Sequence, residues 1–116
     1  MRPDGAPHVV PVVFAAVDDT VYTAVDAKPK RTQHLQRLTN LRHETRCAVL
    51  VDHYEDDWSR LWWVRADGVA AVVADPPGDH PGVAALVERH AEYRVHPPAG
   101  PLVVVMVERW SGWSST

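Results

Sequence analysis

The apolar positions of this chain follow two periods, and the change between them marks the elements. "HVVPVVFAA" (His8 to Ala16) is rich in β-branched residues, and Pro11 restricts it to an edge or bulged strand. The paired aspartates Asp18–Asp19 signal a tight turn, and "TVYTAV" (Thr20 to Val25) alternates as a second strand, so the two read as a hairpin. The spacing of Leu35, Leu38 and Leu41 predicts an amphipathic helix from about Pro29 to His43. "RCAVLVDHY" (Arg46 to Tyr54) returns to strand, with an apolar centre that predicts burial on both faces.

Beyond the acidic turn "EDDWS", the run from Arg60 to Asp75 is expected to form one long strand bent at Gly68, where an interior glycine suits a bulge. "PPGDHPG" interrupts the chain. A second helix then starts with Asp79 or His80 as N-cap and Pro81 at the first position. Val83, Leu86, Val87 and His90 follow at i, i+3, i+4, i+7 spacing and form its expected buried stripe. "LVVVMVERW" (Leu102 to Trp110) is the final strand. Five curved strands with two separate helices predict a mainly β (α+β) fold, a small antiparallel barrel with helices packed outside. Strands and helices do not alternate as a doubly wound sheet requires.

Composition narrows the function classes. The chain of 116 residues fits one domain, 1–116, and its 46% hydrophobic and 23% charged residues are globular proportions. A net charge of −3 argues against a general nucleic-acid binder. No apolar run has the length of a membrane span. The lone Cys47 excludes an internal disulfide and suits a reducing cytoplasm, and its apolar neighbours predict a small core residue.

Candidate chemistry is sparse. The 7 histidines are scattered without the spacing of a zinc site, and Asp56–Asp57 reads as a solvated turn. Neither a nucleophile motif nor a phosphate-binding glycine loop is present. The exception is "KPKR". It places Lys28, Lys30 and Arg31 at the positive end of a helix macrodipole, where cations are mildly unfavourable. Two readings remain open: a phosphate site, to which helix N–H groups and cations both contribute, or solvated and screened surface residues. The 5 tryptophans fall in "DDWSRLWW" and "ERWSGWSS". Trp62 and Trp63 are neighbours on a strand and must point to opposite faces. Trp110 and Trp113 are hard to bury within one small chain, which suits an interface.

The stretch "VDAKPKRTQHLQRLTNLRHETRCAVLVDHYEDDWSRLWWVRADG", then "ERHAEYR" and "VVVMVERWSGWSS", resembles one branch of the pyridoxamine 5'-phosphate oxidase-like superfamily. That branch is the actinobacterial deazaflavin-dependent group of split β-barrels, related to the FMN-binding split barrels. The resemblance covers essentially the whole chain. It implies a homodimeric oxidoreductase that moves a hydride between reduced coenzyme F-420 and an unsaturated small-molecule acceptor, with no membrane or nucleic-acid partner. FMN is the alternative cofactor. An FMN-binding oxidase or reductase and a non-catalytic cofactor-binding dimer are the alternative functions.

By position, Lys28, Lys30 and Arg31 would hold the cofactor phosphate. Backbone at Pro11, Val12 and Val13, and at Thr23, Ala24 and Val25, would line the ring or its polar tail. Arg60, Trp62 and Arg65 would reach the groove across the dimer. No catalytic side chain and no metal ligand is expected. Family members carry an extra helix and the start of a strand ahead of the "PDG-PHVVPV" segment. Met1 stands almost at that turn, so the expected fold lacks both and leaves an unpaired edge beside His8 to Phe14.

Overall fold

The computed structural model describes residues 4–25, 38–42 and 44–116. In chain order it contains β1 (Phe14–Val17), β2 (Thr20–Ala24), helical residues 38–42 (α1), β3 (Arg46–His53), a 3-10 turn (Trp58–Arg60), β4 (Trp62–Val73), α2 (Pro81–Arg89), α3 (Ala91–Val95) and β5 (Leu102–Ser114). The strands form one antiparallel sheet in the order β1-β2-β5-β4-β3. Mainly β with three helices, this is the architecture of a small split barrel.

β4 is the long bent strand that the sequence predicts, and it runs without interruption through Gly68. The register with β5 shifts between Asp67, opposite Arg109, and Gly68, opposite Val107, so Glu108 is the extra residue of a bulge. Gly68 is required there because a Cβ would lie 2.2 Å from the Met106 carbonyl oxygen.

Alternation assigns side chains to two faces. On the α1 face, Val21, Val25, Leu38, Ala70, Val103 and Val105 form one buried cluster. On the opposite face, Ala15, Ala24 and Leu102 pack against Ala85 and Leu86 of α2. His80 caps α2 by accepting from Gly82 N–H at 3.0 Å, and Pro81 follows as predicted. Both clusters lie at one end of the sheet, around β1, β2 and the first half of β5.

Several boundaries differ from expectation. β1 begins at Phe14 rather than His8, since residues 4–13 contribute nothing to the ladder. β3 is exposed at every second residue, so only one of its faces is packed, and Leu50 is exposed. Val87 and His90 are half-buried, whereas Gly82, Val83, Ala85 and Leu86 form the packed face of α2. Gly82 belongs there because a Cβ would lie 2.5 Å from Tyr22. β5 runs to Ser114, four residues past the expected end at Trp110. The predicted start of α1 at Pro29, with Leu35, lies outside the described residues.

Candidate functional site

The distal half of the sheet carries the candidate site. There the first half of β4 is flanked by β3 and by the end of β5, and among the described residues no helix packs substantially against β3 or β4. Trp63 pairs with Trp113 and Asp52, and Arg65 pairs with Ser111 and Leu50, so these side chains share the α2 face. All of them but Ser111 line a groove of about 350 Å3 together with Tyr54, Leu61, His53 and Trp62. Leu50 is 62% exposed and Trp113 49%, values that a folded core would not leave. Ser111 Oγ, opposite Arg65 in the ladder, is buried with no hydrogen-bond partner among the described residues. Arg65 Nε donates to Asp67 at 2.9 Å, which fixes its guanidinium beside the groove.

The α1 face of the same end is also aromatic. Trp62 stacks on His53 with ring centroids 6.2 Å apart and planes 13° from parallel. His53 hydrogen-bonds Glu55, whose other carboxylate oxygen lies 3.6 Å from Arg60 Nε. Arg60 closes the 3-10 turn that Asp57 caps, accepting from Ser59 N–H at 3.1 Å and Ser59 Oγ at 2.7 Å. Those two hydrogen bonds hold the Asp57 carboxyl below the usual carboxylate range.

The residues singled out from the sequence fall in two places. Arg60, Trp62 and Arg65 are at the distal end. Thr23, Ala24 and Val25 are buried in the proximal core, where Thr23 Oγ1 donates to the Val13 carbonyl at 2.7 Å and Val25 N–H donates to Pro101 at 2.8 Å. Pro11 is exposed nearby, and Val12 and Val13 line a separate groove of about 700 Å3 between β1 and α2. Thr23 is opposite Val103 and Arg65 opposite Ser111. The two sets are therefore about 25 Å apart along β5. Lys28, Lys30 and Arg31 lie outside the described residues. Trp113, Trp63 and Leu50 line the groove without having been expected as cofactor-binding residues, Trp113 because "RWSGWSS" reads as a polar tail until its pairing with β4 is known.

A family model described as pyridoxamine 5'-phosphate oxidase matches residues 1–114. The chain belongs to the pyridoxamine 5'-phosphate oxidase family. Solved structures share this family fold at low identity. A conserved hypothetical protein of Mycobacterium tuberculosis superposes with a TM-score of 0.72 at 24% identity, over 99% of this chain and 73% of that one. A FAD-binding protein of Mesorhizobium loti gives 0.65 at 21%, over 94% and 76%. A heme binding protein of Mycobacterium smegmatis gives 0.63 at 18%, over 97% of this chain and 49% of that one. No curated protein matches the chain. Among the described residues, no cluster of three or more metal-ligating side chains occurs, and no helix is long and apolar enough to cross a membrane.

Proposed function

We propose that the chain is a homodimeric oxidoreductase that binds coenzyme F-420 between two copies and serves reduction of an unsaturated organic acceptor. The observation that carries this reading is the groove at the distal end. In a member of this family, it combines the Trp63–Trp113 pair with the Arg65 guanidinium. Such a set fits a planar ring with anionic or carbonyl oxygens: indoles supply stacking area, and Arg65 supplies hydrogen bonds.

One distance supports two copies. Val25, which precedes the basic segment Lys28–Arg31 by three residues, is buried and hydrogen-bonded at the proximal end, about 25 Å along β5 from Arg65. A two-fold arrangement can set the basic segment of one copy beside the distal groove of the other, and would cover the exposed Trp62, Trp110 and Trp113.

Bound there, the deazaflavin would supply the hydride chemistry. Lys28, Lys30 and Arg31 would hold its phosphate, and Arg60, Trp62 and Arg65 would orient it and exclude water. No side chain is assigned a catalytic step. FMN is the second reading, favoured by the family's flavin oxidases and by the FAD-binding structural relative.

Fluorescence titration separates the two. Saturable quenching of F-420, with no yellow flavin carried through purification and weaker FMN binding, is the expected result. Saturable FMN binding with no effect on F-420 assigns the flavin instead.

A further inference from the structure

The charged groups of the distal groove divide into those already engaged and those still free. Arg65 gives its Nε to Asp67 at 2.9 Å, and its Nη groups make no hydrogen bond among the described residues. His53 is bound to Glu55. Asp52 lines the groove with neither a hydrogen bond nor an ion pair among the described residues.

Ladder register sets the two free groups around one indole. Asp52 is directly opposite Trp63, and Arg65 follows Trp63 by two residues on the same strand, opposite Leu50. All three side chains therefore stand on the α2 face, with Asp52 across the ladder from Trp63 and Arg65 along the strand from it. Asp52 and Arg65 are diagonal neighbours, about 7–8 Å apart, a spacing within reach of long side chains. Trp113 flanks Trp63 on its other side. An acceptor and a donor fork thus share one stacking surface.

That pairing selects a ligand edge. Arginine only donates, and an ionised carboxylate only accepts. A flat ligand lying on Trp63 satisfies both when one edge carries an N–H next to a carbonyl. A cyclic imide, the C=O, N–H, C=O edge of a pyrimidinedione, has that order. A carboxylate or phosphate would suit Arg65 and be repelled by Asp52, and an ammonium group would do the reverse. A ring alkylated at the imide nitrogen would leave Asp52 desolvated and unpaired. The volume of about 350 Å3 is at the low end for ligand sites and suits a ring system rather than a whole cofactor.

We propose that the distal groove is an imide-reading subsite, in which Asp52 accepts the ring N–H and Arg65 donates to the adjacent carbonyl. This deepens the cofactor reading and rests on the groove taking the cofactor's ring. Asp52 binds and orients, and moves no proton. Deazaflavin and flavin both carry the pyrimidinedione edge, so this subsite places the ring, and the choice between F-420 and FMN lies elsewhere.

The test uses lumiflavin, a flavin ring with neither ribityl chain nor phosphate, so the basic segment plays no part. In fluorescence titration of the full chain, lumiflavin is expected to bind saturably. 3-Methyllumiflavin, which lacks the imide N–H, is expected to bind at least ~10-fold more weakly. Asp52→Ala, at an exposed position, should bring the two ligands within about 3-fold of each other. Asp52→Asn, whose carboxamide oxygen still accepts, should keep a larger preference than Asp52→Ala. No saturable lumiflavin binding, equal affinities in wild type, a full preference surviving Asp52→Ala, or identical behaviour of the two variants would overturn the proposal. F-420 binding by a wild type that does not discriminate would remove this assignment and leave the cofactor reading standing. Discrimination between the lumiflavins without F-420 binding would keep the subsite and remove that cofactor.

Discussion

Trp110 donates its indole N–H to the Asp19 carboxylate at 2.8 Å, joining positions 91 residues apart. Asp19 also accepts Val107 N–H through its main chain, at 2.8 Å. The turn of the first hairpin is thus held at the point where β5 bulges. Its first residue, Asp18, has φ 52°, a left-handed conformation that aspartate tolerates better than most residues.

That contact predicts a measurable coupling. In urea unfolding, a double-mutant cycle of Trp110→Phe and Asp19→Ala should give about 1 kcal/mol, below the usual range for a charged acceptor because both groups are partly solvated. A coupling indistinguishable from zero would mean that the bond does not fix the turn.

The bulge predicts an asymmetry among glycines. Gly68→Ala should destabilise the fold by at least ~2 kcal/mol, because backbone rather than a flexible side chain meets the new Cβ. Gly78→Ala, with nothing within 4 Å of its Cβ, should stay within about 0.5 kcal/mol of wild type. Equal melting temperatures for the two variants would contradict the close approach at Gly68.

Burial pushes the Cys47 thiol above its usual pKa, with the Asp67 carboxylate adding to the shift. The folded value then exceeds the unfolded one. The stability gained from the neutral thiol is full below the unfolded pKa, about 8.5, and is lost as pH rises through the folded value. Stability measured between neutral and alkaline pH should therefore fall more steeply in wild type than in Cys47→Ala. Parallel curves would count against a shifted thiol.

The proximal half of the fold was legible in the sequence because its signals are local. Pro81 following a capping residue, Gly68 within a β-branched run, and the Asp18–Asp19 turn each specify their own backbone. The limits of β1 and β5 were not legible, since they depend on partners. Residues 8–13 have strand composition but no ladder partner among the described residues, and Ser111 to Ser114 look like a tail until β4 pairs with them. The candidate site divides along the same line. Its cations stand out as a run, whereas Trp113 enters the groove only through register. Arg60, Trp62 and Arg65 were placed by resemblance, and the structure puts them at the end opposite Thr23–Val25.

The cofactor reading depends on the basic segment, so the most direct measurement is F-420 titration of wild type beside the Lys28→Ala/Lys30→Ala variant. The variant should bind at least ~1.5 kcal/mol more weakly, the scale of one lost charge-assisted hydrogen bond, while its urea unfolding is unchanged. Equal affinity in the two proteins, or no saturable quenching in wild type, would contradict the account.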